Sequence, residues 1–546
     1  MDKRKKPVTM ATNTSSKYDN IPYKVKIPSG SPALYRLIPR KDNIGNLTRM
    51  TLGEKNPNKN NKTILLVGET GTGKSTLINA LVNYAMGVKW KDDVWFKIVE
   101  EEKRSQSESQ TSDVIVYQIF GFEDKTLPYS LTIIDTPGYG DTRGIEHDMN
   151  IMERLFYLFR SEDGVHEIDA VGLVLTGSVN RLSDRQRYIF DSVVSLFGKD
   201  MEKNIVALIT HSNGRAPKNA VQALEAAKIK CARDEKNQPV CFLFDNCQHE
   251  DRTEDAEALK HADKISMKGM NQFTNFLVET EPQRLETTVN VLNERIRLTA
   301  CIQNLQDRIE LIDLKRTEIQ QTQDGLKMYE REMKNNEKFT VEVDVPYKDK
   351  ERIDGGKWGL VFYEAATCCT VCKENCHYPG CTMAPKPGHC EVMKDGRCTS
   401  CSGKCPASDH VKENWKYVTK TMKVQKTLKD VKAKYEMNKK ETEKQGNLLE
   451  SLQKEKETLE ANKTRLLYEA YQHVVKLEEI ALNVVSLSTY VHLDFLIKEM
   501  EKKNDTEKVN HLKQMASRKC EGVQAGLQYM YNALSKMVKR GWQKLW

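Results

Sequence analysis

The sequence has no uninterrupted apolar run of about 18 residues, the least a membrane-crossing helix needs. The nearest stretch, residues 480–497, is broken by Asn483, His492 and Asp494, which favours a buried or partner-facing helix. Aromatic residues are few, at 7%, and mean hydropathy is −0.63. That is too polar for one globular core and suits long exposed helices. Charge of either sign is nearly balanced: 85 Lys and Arg against 77 Asp and Glu give a net +8. The two signs are intermixed, so nucleic acid is not the expected partner. The opening Met1-Asp-Lys-Arg-Lys-Lys is charged, and no apolar core follows it. No secretory signal is therefore expected; the run reads as a solvated terminus, the chain as cytoplasmic, and its cysteines as reduced or metal-bound.

At 546 residues the chain is too long for a single core and predicts several modules. Residues 1–60 are rich in Lys, Asn, Ser and Pro and read as a partly disordered extension, with an ordered piece expected at Ala33–Ile38. Residues 61–283 alternate apolar strands with amphipathic helices. The strands expected are Thr63–Val67, Asp113–Phe120, Leu131–Asp135, Ala170–Leu175, Asn204–Thr210 and Val240–Phe244. This pattern predicts an α/β fold, a mostly parallel sheet with helices on both faces and ligands at the carboxyl ends of its strands.

The chain is organised around Gly68-Glu69-Thr70-Gly71-Thr72-Gly73-Lys74-Ser75-Thr76, a phosphate loop between a strand and a helix. The glycines let backbone N–H groups turn toward phosphate oxygens, and the helix start adds its positive end. Lys74 would neutralise the outer phosphates and Ser75 would ligate magnesium. Asp135, at the end of an apolar strand, is the second magnesium residue. Gly138 completes Asp135-Thr-Pro-Gly and would meet a γ-phosphate through its N–H. Within the polar loop Ser105–Ser112, Thr111 is chosen to close over magnesium and γ-phosphate, with Ser109 and Ser112 as alternatives. Lys74, Thr111 and Gly138 are the candidates for catalysis. Thr210, His211 and Asn213 follow a later strand and face the base, with Asn246 after the next. Guanine needs a carboxylate to accept two protons together, and Asn213 has one acceptor and one donor, so GTP and ATP both stay open.

These motifs resemble the septin-like and immune-associated GTPases of the P-loop class, over roughly residues 61–283. The whole layout is similar to animal proteins that join such a G domain to coiled coil and a cysteine module. The resemblance implies GTP and GDP as ligands with Mg2+, and self-association through the G domain. The family places Asp where this chain has Asn213. Many small GTPases have a water-orienting Gln after the switch glycine; here Tyr139 implies slow hydrolysis helped by dimerisation or a partner. Arg143 could act across such an interface but reads more simply as a surface residue.

From residue 284 the pattern changes. Leu298, Ile302, Leu305, Ile309, Ile312, Ile319, Leu326 and Met333 form a heptad seam, predicting coiled coil over 284–345. A second seam, Val424 to Leu466, predicts coiled coil over 416–472. The two seams would either fold back on one another, with the intervening module at the tip, or pair between chains. That module, 346–415, holds nine of the fourteen cysteines. Cys369, Cys372, Cys376 and His377 are echoed by Cys398, Cys401, Cys405 and His410, with Cys381 and Cys390 between. Each half can supply four soft ligands, so two structural Zn2+ ions are expected; disulfides, a catalytic thiol, unpaired thiols and an iron–sulfur cluster are the competing readings. Residues 473–546 read as a terminal helical hairpin, broken at Asn504-Asp505. Its basic, aromatic tail, Lys539–Trp546, is read as a packed end, leaving room for a peripheral membrane contact. Protein partners are expected to bind through the helices.

Overall fold

The computed structural model describes residues 18, 21, 24–27, 30–45, 47–99, 114–137, 145–253, 255–332, 340–353, 357–358, 362–363, 365–381, 384, 386–427, 448–484 and 486–517. Thr111, Gly138, Tyr139, Arg143 and the tail 518–546 lie outside them. The chain divides into two compact units, the first within residues 1–289 and 481–487 and the second within 290–480 and 488–518.

In chain order the first unit contains β1 (Lys24–Ile27), β2 (Ala33–Leu37), β3 (Arg40–Ile44), β4 (Leu47–Leu52), β5 (Asn61–Gly68), α1 (Lys74–Ala85), β6 (Val94–Lys97), β7 (Ile115–Ile119) and β8 (Ser130–Asp135). It continues through α2 (Ile145–Arg160), β9 (Glu167–Ile168), β10 (Ala170–Thr176), α3 (Asp184–Val194), β11 (Ile205–Thr210), α4 (Lys218–Ala226), β12 (Cys241–Leu243), α5 (Ala256–Glu279) and β13 (Gln283–Arg284). The main sheet has the order β12-β11-β10-β5-β8-β7-β4-β3. Strands β12, β11, β10, β5 and β8 run parallel, and β7 is antiparallel to β8. This is the mostly parallel α/β fold expected.

Ile64, Leu65, Leu66 and Val67 are all fully buried, which is why β5 reads as a continuous apolar run rather than an alternating one. Burying each such side chain contributes roughly 1.5–3 kcal/mol. The start of the sheet departs from expectation. Residues 40–52, assigned to the N-terminal extension, form the β3–β4 hairpin, and β4 pairs in parallel with β7. The hairpin turns at Gly45, whose φ is +56°. As the outermost strand, β3 carries Arg40, Lys41 and Asp42, the polar composition that edges favour and that hid it in the sequence.

The second unit holds α6, which spans Glu286–Glu332, then α7 (Leu448–Ile480), α8 (Leu487–Glu501) and α9 (Thr506–Ser517). Seam residues Leu298, Ile302, Leu305 and Ile312 are buried, as are Leu466, Leu467, Ala470, Val474 and Leu477 of α7. Glu294 pairs with His473 at 2.8 Å, the Cys301 thiol donates to the Leu466 carbonyl at 3.4 Å, and Arg316 pairs with Glu460 at 2.6 Å. Numbers that rise on one helix fall on the other, so the seams close antiparallel within one chain.

The coiled-coil boundaries need correction. Residues Thr340–Arg352 and Trp415–Thr427 form a two-stranded antiparallel ribbon, and Val424, placed in the second seam, pairs with Val343. The run from Tyr417 to Gln425 is rich in β-branched residues, Val418, Thr419, Thr421 and Val424, a strand composition that the heptad reading overlooked. Leu428, Val431 and Tyr435 lie outside the described residues. The cysteine module is not at a tip either. The ribbon carries the chain back, and the module lies along α6: Asn304 donates to the Ser400 hydroxyl at 2.6 Å, Arg297 to the Glu391 carbonyl at 3.2 Å, and Arg308 pairs with Glu374. The break expected at Asn504 is present; its φ is +57°, and α9 starts two residues later.

On α8, the His492 Nε2 lies 3.1 Å from the Thr299 hydroxyl of α6. Burial pushes this imidazole down to about 4. The folded protein then keeps His492 neutral where the unfolded chain takes up a proton, so stability is lost as pH falls below about 6.5. Moving from pH 7 to pH 5 is expected to destabilise the second unit by about 2 kcal/mol through this residue. Hydrogen exchange of α8 at both pH values measures it, and His492→Gln should remove most of the difference.

Candidate functional site

Strand β5 lies between β10 and β8, so the loop after Gly68 leaves the sheet at its carboxyl edge. A Cβ at Gly68 would stand 2.5 Å from the Val174 carbonyl oxygen, so only glycine fits against β10 there. Gly71 and Gly73 have φ of +85° and +81°, which other residues adopt at a cost. Beyond Gly73, α1 begins with Lys74, and Ser75 and Thr76 fall in its first turn.

The loop is held from three sides. Thr72 donates its hydroxyl to the Glu69 carbonyl at 2.8 Å. Thr210, at the end of β11, donates its own to the Thr72 carbonyl at 2.7 Å. Thr136, just past β8, donates to the Leu66 carbonyl at 2.9 Å. Glu69 pairs with Arg185 of α3 at 3.3 Å. Lys74 is buried, its ammonium 2.7 Å from the Gly68 carbonyl and 3.3 Å from that of Glu69. Burial lowers its pKa to about 8, against the pull of Asp135 and Glu69. Asp135 ends β8 fully buried, paired in register with Leu66 of the loop strand. The Thr70 hydroxyl is buried with no hydrogen-bond partner among the described residues. A curled glycine loop, an inward lysine, a buried carboxylate and an unmet hydroxyl fit a triphosphate with its magnesium: Lys74 for the charge, Ser75 and Asp135 for the metal.

The base side is less complete. His211 has φ +50°, with Nδ1 3.3 Å from the Thr210 hydroxyl. Asn213 is exposed, and its carbonyl oxygen accepts the Arg215 N–H at 3.1 Å, closing its own turn. Asn246, past β12, is 8% exposed; its oxygen accepts from the Ser266 hydroxyl at 2.9 Å, and its Nδ2 has no hydrogen-bond partner among the described residues. Sequence reasoning missed Asn79 and Asn83 of α1. Asn79 accepts the N–H groups of Ile98 and Val99 at 2.8 and 3.2 Å, and Asn83 bonds both backbone groups of Phe96. These buried amides fix the chain just before the polar loop expected to hold Thr111. Two asparagines one helical turn apart on an apolar helix were the available signal.

The cysteines group differently from the two halves of the sequence. One cluster joins Cys369 and Cys372 with Cys401 and Cys405; a second joins Cys376 with Cys398, Cys401 and His410. Each draws on both halves, so they interleave. A third cluster holds His377, Cys381 and Cys390. All the described cysteines are free thiols. Five backbone N–H groups, those of Cys372, Ser400, Cys401, Gly403 and Cys405, each lie 3.3 Å from a cysteine sulfur. Hydrogen bonding from Cys390 lowers the Cys381 thiol to about 4.

Comparison with known proteins bears on the first unit. Residues 58–156 match the Septin family. Septin-5 of Homo sapiens is 37% identical over 79 residues, which are 14% of this chain and 19% of that protein. Septin-5 of Rattus norvegicus is 35% identical over 79 residues, with the same shares of 14% and 19%. The chain thus spans about a fifth of the length of these curated relatives. Among solved structures, Toc33 from Arabidopsis thaliana in complex with GDP and Mg2+ is 15% identical, covers 40% of this chain and 85% of its own, and has a TM-score of 0.29. The same protein with Mg2+ and GMPPNP gives 16% identity, 40% and 86% coverage and a TM-score of 0.27. No helix among the described residues is long and apolar enough to cross a membrane. With its phosphate loop on a mostly parallel α/β sheet, the first unit has the fold of a P-loop nucleotide-binding domain and is similar to septins over residues 58–156.

Proposed function

We propose that this protein is a GTP-binding assembly switch with slow hydrolysis, assisted by a second copy or a partner. The observation that carries the reading is the buried Lys74 in a glycine loop beside Asp135, within a septin-like domain. Lys74 would hold the outer phosphates, and Ser75 and Asp135 the magnesium. Gly138 and Thr111 would sense the γ-phosphate. Slow turnover rests on Tyr139, which follows the switch glycine and cannot orient water as Gln does. Self-association through this domain joins nucleotide state to assembly. The helices and the cysteine module, holding structural zinc, would present surfaces to protein partners.

For the base, the Asn246 amide supports guanine. A buried donor suits the guanine O6, whereas adenine presents an amino group there. Asn213 spends its acceptor on its own turn, so it adds little.

Lys74→Ala should abolish nucleotide binding and leave the helical unit folded; retained micromolar GTP binding contradicts the site. Competition of GTP and ATP for a fluorescent nucleotide should favour GTP, and Asn246→Ala should weaken GTP binding roughly tenfold, the worth of one hydrogen bond. Single-turnover hydrolysis should rise with protein concentration. Absence of phosphate release even at high concentration would leave a nucleotide-bound scaffold that does not hydrolyse, the second reading, in which the helices and the zinc module do the work.

A further inference from the structure

We infer that the cysteine module holds three metal ions, two of them bridged by the Cys401 thiolate. The inference rests on the zinc reading above and changes its number and wiring. The first two clusters together contain seven side chains: Cys369, Cys372, Cys376, Cys398, Cys401, Cys405 and His410. Two tetrahedral ions require eight donor positions. Seven side chains supply eight when one sulfur serves both ions, and Cys401 is the residue common to both clusters. Ligand atoms within each cluster lie within 4.8 Å of one another. That spacing suits one ion per cluster; sulfurs bound to different irons of an iron–sulfur cluster stand farther apart.

The individual distances agree with tetrahedral zinc. A Zn–S bond of about 2.3 Å puts two sulfurs on one ion roughly 3.8 Å apart. Cys372 and Cys405 are 3.6 Å apart, and Cys381 and Cys390 3.8 Å. The latter pair belongs to the third cluster, where His377 Nδ1 lies 3.2 Å from Cys390 and 3.2 Å from the Glu391 carboxylate. His377 and both cysteines are buried there. This cluster shares no residue with the other two, so an ion held there by its three side chains, with the fourth position left to a small ligand, would be an independent third site.

The backbone is shaped to the sulfurs. The N–H of Cys405 points at the Cys401 sulfur, and those of Ser400 and Cys401 at Cys398. Such donors stabilise the anionic thiolate a metal needs. Gly403 lies so close that a Cβ there would stand 2.8 Å from the Cys405 sulfur and 3.0 Å from that of Cys372. The turn therefore admits only glycine if both sulfurs are to meet one ion. The interleaving gives the bridge a structural purpose. It ties Cys369–Cys376 to Cys398–Cys405, two segments with few apolar residues of their own to hold them together.

The test uses the full chain. Elemental analysis of the purified protein should give three zinc ions per chain, and Cys390→Ser should give two. In the 113Cd-substituted wild type, three resonances are expected, two of them showing mutual cadmium–cadmium coupling through the shared sulfur. Cys401→Ser should abolish that coupling and leave the third resonance in place. Two ions per chain, or three resonances without coupling in the wild type, would overturn the bridged arrangement while leaving zinc itself in place. A folded protein without metal would overturn both this inference and the zinc reading.

Discussion

The buried ammonium of Lys74 is the group the first unit is arranged around. A charge removed from water costs several kcal/mol unless something meets it. Here it is met by two loop carbonyls, with Asp135 and Glu69 nearby. Each contact depends on the sheet. Strand β5 must lie between β10 and β8 for the loop to emerge at the carboxyl edge, and β8 must be in register for Asp135 to end beside it. Thr210 then ties the end of β11 to the loop backbone, and Thr136 ties the end of β8 to β5 just before the loop. A nucleotide phosphate would replace weak carbonyl dipoles with full negative charge at a place already shaped for it, so binding energy need not be spent on ordering.

Much of this unit could be read from the chain alone. Six strands were marked by short apolar runs, and the phosphate loop by glycines whose positive φ the structure shows. The β3–β4 hairpin was not legible, because an edge strand keeps polar residues on its open side. Asn213 and Asn246 looked alike in the sequence. Only folding shows one capping its own turn and the other buried with an unmet donor.

In the second unit, periodicity marked the helices well and the connections poorly. Leu298 through Ile312 are buried as a seam, but which seam they meet was open until the pairs Glu294–His473 and Arg316–Glu460 fixed it. The ribbon strand Trp415–Thr427 was mistaken in part for heptads, since Val424 near its end satisfies either period. The cysteines show the same limit. Spacing picked out cysteines that the structure clusters, but chain order suggested two separate halves. The fold crosses them, because a turn such as Ser402-Gly403-Lys404 brings Cys405 back beside Cys372, a residue more than thirty positions away.

In the proposed switch, binding at the phosphate loop of the first unit would change how copies associate, and metal at the cysteine clusters would staple the helical unit. Sedimentation velocity of the full chain tests that coupling most directly, comparing saturating GDP with a non-hydrolysable GTP analogue, both with Mg2+. A larger assembly with the triphosphate, lost in Lys74→Ala, is predicted. Identical distributions in both nucleotides, at concentrations where each is bound, would contradict the switch.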